Sequence, residues 1–166
     1  MKKFDRILSK IEEVVTVTCF SLMSIITLVA VFFRAVLENP IIWSEEVARY
    51  LMVWGIFIGI SIVTRKRSQL GIDLLTSFAS PKLQKMINFV SNALLVFTYV
   101  AASILSIIFV IEAFKLGNLT PITRIKFAYI YLALPIGFIL STYRALQNWS
   151  SDLKGEIDVN KEEVIL

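Results

Sequence analysis

The residues best equipped for chemistry lie close together: Trp43-Ser44-Glu45-Glu46-Val47-Ala48-Arg49, followed by Trp54-Gly55-Ile56-Phe57-Ile58-Gly59 and then Arg65. On a helix turning about 100° per residue, Glu45 sits about 40° and Glu46 about 60° from Arg49, and a glutamate four residues before a cation is the favourable order for an ion pair. Arg49 falls about 9 Å along the helix from Trp43 at 1.5 Å rise per residue. Unpaired at membrane depth it would cost up to roughly 2.5 to 3.5 kcal/mol, so the carboxylates are required as partners for Arg49 or for cations on a neighbouring helix. Ionisable groups inside a membrane point first to a proton or ion relay. A relay should continue inward, and no charged residue lies between Arg49 and Arg65. The favoured expectation is a charge cluster near the interface that fixes this helix against a partner.

Other chemistry is excluded by composition. The chain has one cysteine and no histidine among 166 residues, which leaves no disulfide framework, no Cys/His zinc site and no imidazole base. Cys19 lies inside an apolar run, so an enzyme built on a nucleophile and base is not expected, and no cofactor is implied. Gly55 and Gly59 form G-x-x-x-G, with Ala48 about 20° from Gly55, giving a groove for close helix approach. Asn88, Asn92, Tyr99, Ser103 and Ser106 fall within a sector of about 60°. That strip serves interhelical hydrogen bonds or, in a second reading, lines the pore of a small homo-oligomeric channel.

The elements that must position these groups are membrane spans. Hydrophobic residues make up 57% of the chain and charged residues 18%, at a mean hydropathy of +0.74, which a water-soluble domain does not carry. Four stretches lack charge: Val14 to Phe33, Tyr50 to Thr64, Met86 to Ile111 and Phe127 to Tyr143. A span needs roughly 20 apolar residues, so the second and fourth must take in a basic residue at the boundary. We expect an all-α integral membrane protein of one domain, with spans at about 14–34, 43–64, 86–111 and 126–145. Lys2 and Lys3 precede the first run as in a signal peptide, but the run is long and lacks a small-residue cleavage site, so it is read as a retained anchor. Phe4, Ile7, Leu8 and Ile11 share a stripe away from Lys3, Arg6 and Lys10, predicting an amphipathic arm at 1–13 in the interface. Ile72, Leu75 and Ala79, with Asp73 as a cap, predict a second arm, and Ser80-Pro81 starts the third span. Residues 150–166 read as a polar tail.

Twelve basic residues fall before the first span, between the second and third, and after the fourth. The other side has five: Arg34, Arg49, Lys115, Arg124 and Lys126. The excess puts both termini in the cytoplasm. Lys115, Arg124 and Lys126 then flank an outer loop whose Thr120-Pro121 looks like a helix start. They either snorkel as membrane anchors or present cations to a binding partner. With most of the chain in lipid, the basic excess gives no indication of nucleic acid.

Taken together, the basic amphipathic start, the four spans, Trp43 with Glu45-Glu46 and Arg49, the Trp54 to Gly59 run, and Arg65 followed by Ile72-Asp73 resemble the small membrane subunit of tripartite ATP-independent periplasmic (TRAP) transporters. The resemblance implies an accessory role in a bacterial inner membrane. Such subunits pair with a large membrane subunit that carries substrate with sodium by an elevator-type movement. A periplasmic binding protein delivers an organic acid such as a C4-dicarboxylate or sialic acid. The small subunit would brace the large one's scaffold and help dock the binding protein. Arg65 and Asp73 belong to its cytoplasmic loop.

Overall fold

The computed structural model describes residues 2–66 and 81–153. Its elements are α1 (Lys2–Val36), α2 (Ser44–Arg65), α3 (Pro81–Leu116), α4 (Phe127–Tyr131) and α5 (Ala133–Leu153). Among the described residues there is no strand, only an isolated bridge between Leu119 and Lys126. Four segments are long and apolar enough to cross a membrane: Phe4–Val36, Ser44–Arg65, Phe89–Leu116 and Phe127–Ser150. The protein is an all-α, multi-pass membrane protein. Asp73, the arm expected around it and the tail from 154 onward lie outside the described residues.

The helices pack in a row. α1 lies on α2, α2 on α5, and α5 on α3, with α4 bridging between α2, α3 and α5. Small residues set the close approaches. A side chain at Gly55 would meet Cys19 and Phe20 of α1 at 3.2–3.3 Å, and one at Gly59 would meet Thr16 at 3.6 Å. The G-x-x-x-G groove is thus filled by this chain's own first helix and is not open to a separate subunit. The tightest crossing is elsewhere. A Cβ on Gly137 of α5 would lie 2.3 Å from the carbonyl oxygen of Phe57 on α2, a position only glycine tolerates.

Three boundaries differ from the sequence expectation for physical reasons. Residues 2–13 do not form a separate arm; they are the first turns of α1, because Asp5, Ser9 and Glu12 on one face are drawn onto α2 and α5. The fourth span is interrupted at Leu132, since Pro135 lacks the N–H that would bond Tyr131 and its ring crowds that carbonyl. Bonds from Leu132 to Ala128 and from Ile136 to Leu132 carry the chain across the break. Residues 121–123 form a turn instead of a helix start. α3 does begin at Pro81, and it ends at Gly117, which takes φ +65° and donates its N–H to Ala113.

Candidate functional site

Two polar clusters sit at opposite ends of α2, about 22 Å apart along its axis at 1.5 Å per residue. The first gathers around Glu46, which is buried near the start of α2. One carboxylate oxygen accepts the backbone N–H of Ile122 at 3.2 Å and of Thr123 at 3.0 Å, and the other accepts the Tyr50 hydroxyl. Tyr50 also meets Thr123 at 3.0 Å, and Thr123 meets the buried Thr120 at 2.9 Å. The loop closes on itself: Thr120 N–H donates to Ile125, Ile125 N–H to the Thr120 hydroxyl, and Phe127 N–H to Asn118. Arg124 at its tip has φ +56°, the left-handed conformation the tight return demands. Glu46 therefore ties the start of α2 to the 117–126 loop through two part-buried backbone donors that have no helix or sheet to satisfy them.

The other members of the sequence cluster separate. Glu45 is exposed and pairs with Arg34, at the end of α1, at 3.8 Å. Arg49 is exposed and takes no partner among the described residues, so neither carboxylate neutralises it. Trp43 precedes α2 and is half exposed. Helix spacing permitted the Glu–Arg pair, but a weak surface pair gave way to part-buried backbone hydrogen bonds for Glu46 and to a cation on the adjoining helix for Glu45. Lys115, Arg124 and Lys126 remain exposed around the tied loop.

The second cluster was not anticipated. Arg144 of α5 and Glu12 of α1 are 2% and 1% exposed, and Arg144 Nη2 lies 3.0 Å from Glu12 Oε2 while Nε reaches Oε1 at 3.4 Å. Ser61 of α2 donates to Glu12 at 2.8 Å. Arg144 also donates to Ser9 and Gln147 and lies 3.8 Å from Asp5. Tyr143 and Gln147 both donate to Asp5. Beside this network Arg65 pairs with Glu13, and Asn148 donates to the Thr64 carbonyl at 2.7 Å, satisfying a carbonyl in the last turn of α2. A buried pair holds only when its remaining hydrogen-bonding positions are filled, as they are here. The signal available in sequence was Glu12 and Arg144 at the edges of two apolar runs, where they read as boundary charges.

Of the third span's polar strip, Tyr99, Ser103 and Ser106 are turned inward, while the Asn88 side chain lies outside the described residues. Tyr99 meets Thr64 of α2 at 3.0 Å, Ser103 lies 3.5 Å from Thr142 of α5, and Ser103 and Ser106 are buried. The hydroxyls that a pore would need are turned to carbonyls of their own helix or to the neighbouring α2 and α5. Among the described residues no cluster of metal-ligating side chains is present.

Residues 23–155, well over half of the chain, match a family model described as "Tripartite ATP-independent periplasmic transporters, DctQ component". The chain belongs to that family. It is a transporter component, not an enzyme. Over 150 residues this DctQ-family chain is 33% identical to the "Sialic acid TRAP transporter permease protein SiaT" of Haemophilus influenzae, a match covering 89% of this chain and 24% of the relative. It therefore spans about a quarter of the length of that protein. It is 25% identical to the "C4-dicarboxylate TRAP transporter small permease protein DctQ" of Vibrio cholerae, covering 89% of this chain and 73% of the relative. With the "Sialic acid TRAP transporter small permease protein SiaQ" of the same species it shares 30% identity over 83 residues, 50% of this chain and 46% of that one.

Proposed function

We propose that this chain is the small accessory membrane subunit of a sodium-coupled TRAP importer of an organic acid anion, of the C4-dicarboxylate or sialic acid class, and that it braces the scaffold of a large membrane subunit. The observation that carries this reading is where the polar groups point. The Glu12–Arg144 network and the α3 strip are consumed within the chain, while large apolar side chains on α1 and α3 face outward. A carrier needs polar groups along a pathway; a brace needs a rigid core and apolar outer faces for lipid and a partner's helices. The match to one part of a much longer permease supports a large subunit as the partner.

The substrate class rests on the names of the relatives, and sodium coupling on the family resemblance. The basic-residue bias supports an inner-membrane orientation with both termini in the cytoplasm. Trp43, just before α2, and Arg49, on it, are exposed and then face the large subunit near the outer boundary, and Lys115, Arg124 and Lys126 face a periplasmic binding protein. Reconstitution tests the reading. Liposomes with this chain, the large subunit and the binding protein should take up the acid on a sodium gradient, and liposomes with this chain alone should show neither uptake nor conductance. Sodium-driven uptake or single-channel currents from this chain alone would overturn it.

A further inference from the structure

The first turns of α1 carry both signs of charge in sequence, with Arg6 and Lys10 beside Asp5, Glu12 and Glu13. The fold separates them. Asp5 is held by Tyr143 and Gln147, Glu12 by Arg144 and Ser61, and Glu13 by Arg65. Arg6 and Lys10 are exposed and have no acidic partner among the described residues. Spaced i, i+4, they stack on one flank of the helix, next to an outward stripe of Phe4, Ile7, Ile11 and Val14, each more than half exposed. Lys10 shares a shallow groove of about 300 Å³ with Ile7, Ile11, Val14 and Val15. The result is a surface of acyl-sized apolar area edged by two unneutralised cations, all the local carboxylates having been turned to other partners.

We infer that this face of α1 is a binding site for an anionic phospholipid, whose phosphate lies against Arg6 and Lys10 and whose acyl chain lies along Ile7, Ile11 and Val14. Charge complementarity selects this occupant: two free cations over an apolar stripe favour a lipid with net negative charge over a zwitterionic one. Each basic residue near an anionic lipid surface contributes roughly a fivefold preference, so the two together give about 25-fold. The inference is independent of the transported substrate and of the orientation of the chain.

The test uses the complex with the large subunit, purified and exchanged into defined lipid, with native mass spectrometry counting retained phosphatidylglycerol against phosphatidylcholine. The wild type should retain phosphatidylglycerol preferentially, and the double variant Arg6→Gln/Lys10→Gln should lose about 25-fold of that preference with phosphatidylcholine retention unchanged. The variant Arg6→Lys/Lys10→Arg, which keeps both charges, should behave as wild type. Equal retention of the two lipids by the wild type, or an unaltered preference in the glutamine variant, would overturn the site. Loss of the large subunit from the glutamine variant would overturn it as well, by showing that protein covers this face.

Discussion

Glu12 in the fourth turn of α1 and Arg144 in the middle of α5 stand 132 residues apart in sequence, yet their side chains meet at 3.0 Å with almost no exposure of either. The backbones of α1 and α5 do not pack on each other; both lie on α2, and only long side chains bridge them at one end. The pair is thus a cross-tie over α2, with Ser61 of α2 bonded into it.

Removing one end of this tie leaves a buried charge without its counter-ion. Arg144→Leu or Glu12→Leu should each destabilise the protein by about 3–5 kcal/mol, and the double variant Glu12→Leu/Arg144→Leu should recover much of that loss. Thermal unfolding of the purified chain in one fixed lipid mixture measures all three. Additive losses in the double variant would mean that the two side chains act independently.

Gly137 and Gly55 are both buried, but they predict different responses to a methyl group. Gly137→Ala drives its Cβ into the Phe57 backbone and should part α2 from α5, at a cost at or above the usual overpacking range of about 1–3 kcal/mol. Gly55→Ala meets the end of the Phe20 ring and the Cys19 side chain at 3.2–3.3 Å, which a small shift relieves. The melting temperature should fall clearly further for Gly137→Ala.

Glu46 holds a loop, so its loss should be read at the loop. In Glu46→Ala the part-buried N–H groups of Ile122 and Thr123 lose their acceptor, at about 0.5–1.5 kcal/mol for each bond removed. Hydrogen exchange across 120–125 should quicken, while Glu45→Ala, which removes only an exposed pair with Arg34, should leave exchange there unchanged.

The basic-residue bias predicts sidedness. Asn118→Cys should react with an impermeant thiol reagent in intact cells, and Ser151→Cys only after permeabilisation. The reverse pattern would invert the topology.

Lys115, Arg124 and Lys126 changed together to glutamine should raise the concentration of binding protein needed for half-maximal uptake, most at low salt, with maximal uptake unchanged. Exposed pairs contribute only roughly 0.2 to 1 kcal/mol each and act mainly on encounter rate. An identical curve at low and moderate salt would leave them as membrane anchors.

The spans were legible because charge-free runs of spanning length have few other uses, and Pro81 marked the start of α3 through backbone geometry that sequence states directly. Helix spacing placed Glu45, Glu46 and Arg49 on one face but could not say what else approached that face. The loop around Thr123 and the end of α1 arrive from distant sequence and win the carboxylates. Arg144 and Glu12 were hidden for the opposite reason: each sits at the edge of an apolar run, where a charge ordinarily marks a boundary and needs no partner. Gly137 has Ala133 and Ser141 four residues away but no second glycine, so the G-x-x-x-G motif that flagged Gly55 passed over a closer crossing.

Because α3 packs along α4 and α5 and reaches α2 through the Thr64–Tyr99 bond, the ribosome delivers it before most of its neighbours exist. α1 and α2 can pair as soon as they are made; α3 must wait in the bilayer while another thirty-odd residues are synthesised. Its hydroxyls are prepared for that interval. Thr98 donates to Leu94, Ser103 to Tyr99 and Ser106 to Ser103, all carbonyls of the same helix, so each has an acceptor before any other helix arrives. The span that depends most on later sequence is thereby able to reside in lipid by itself until its neighbour is translated.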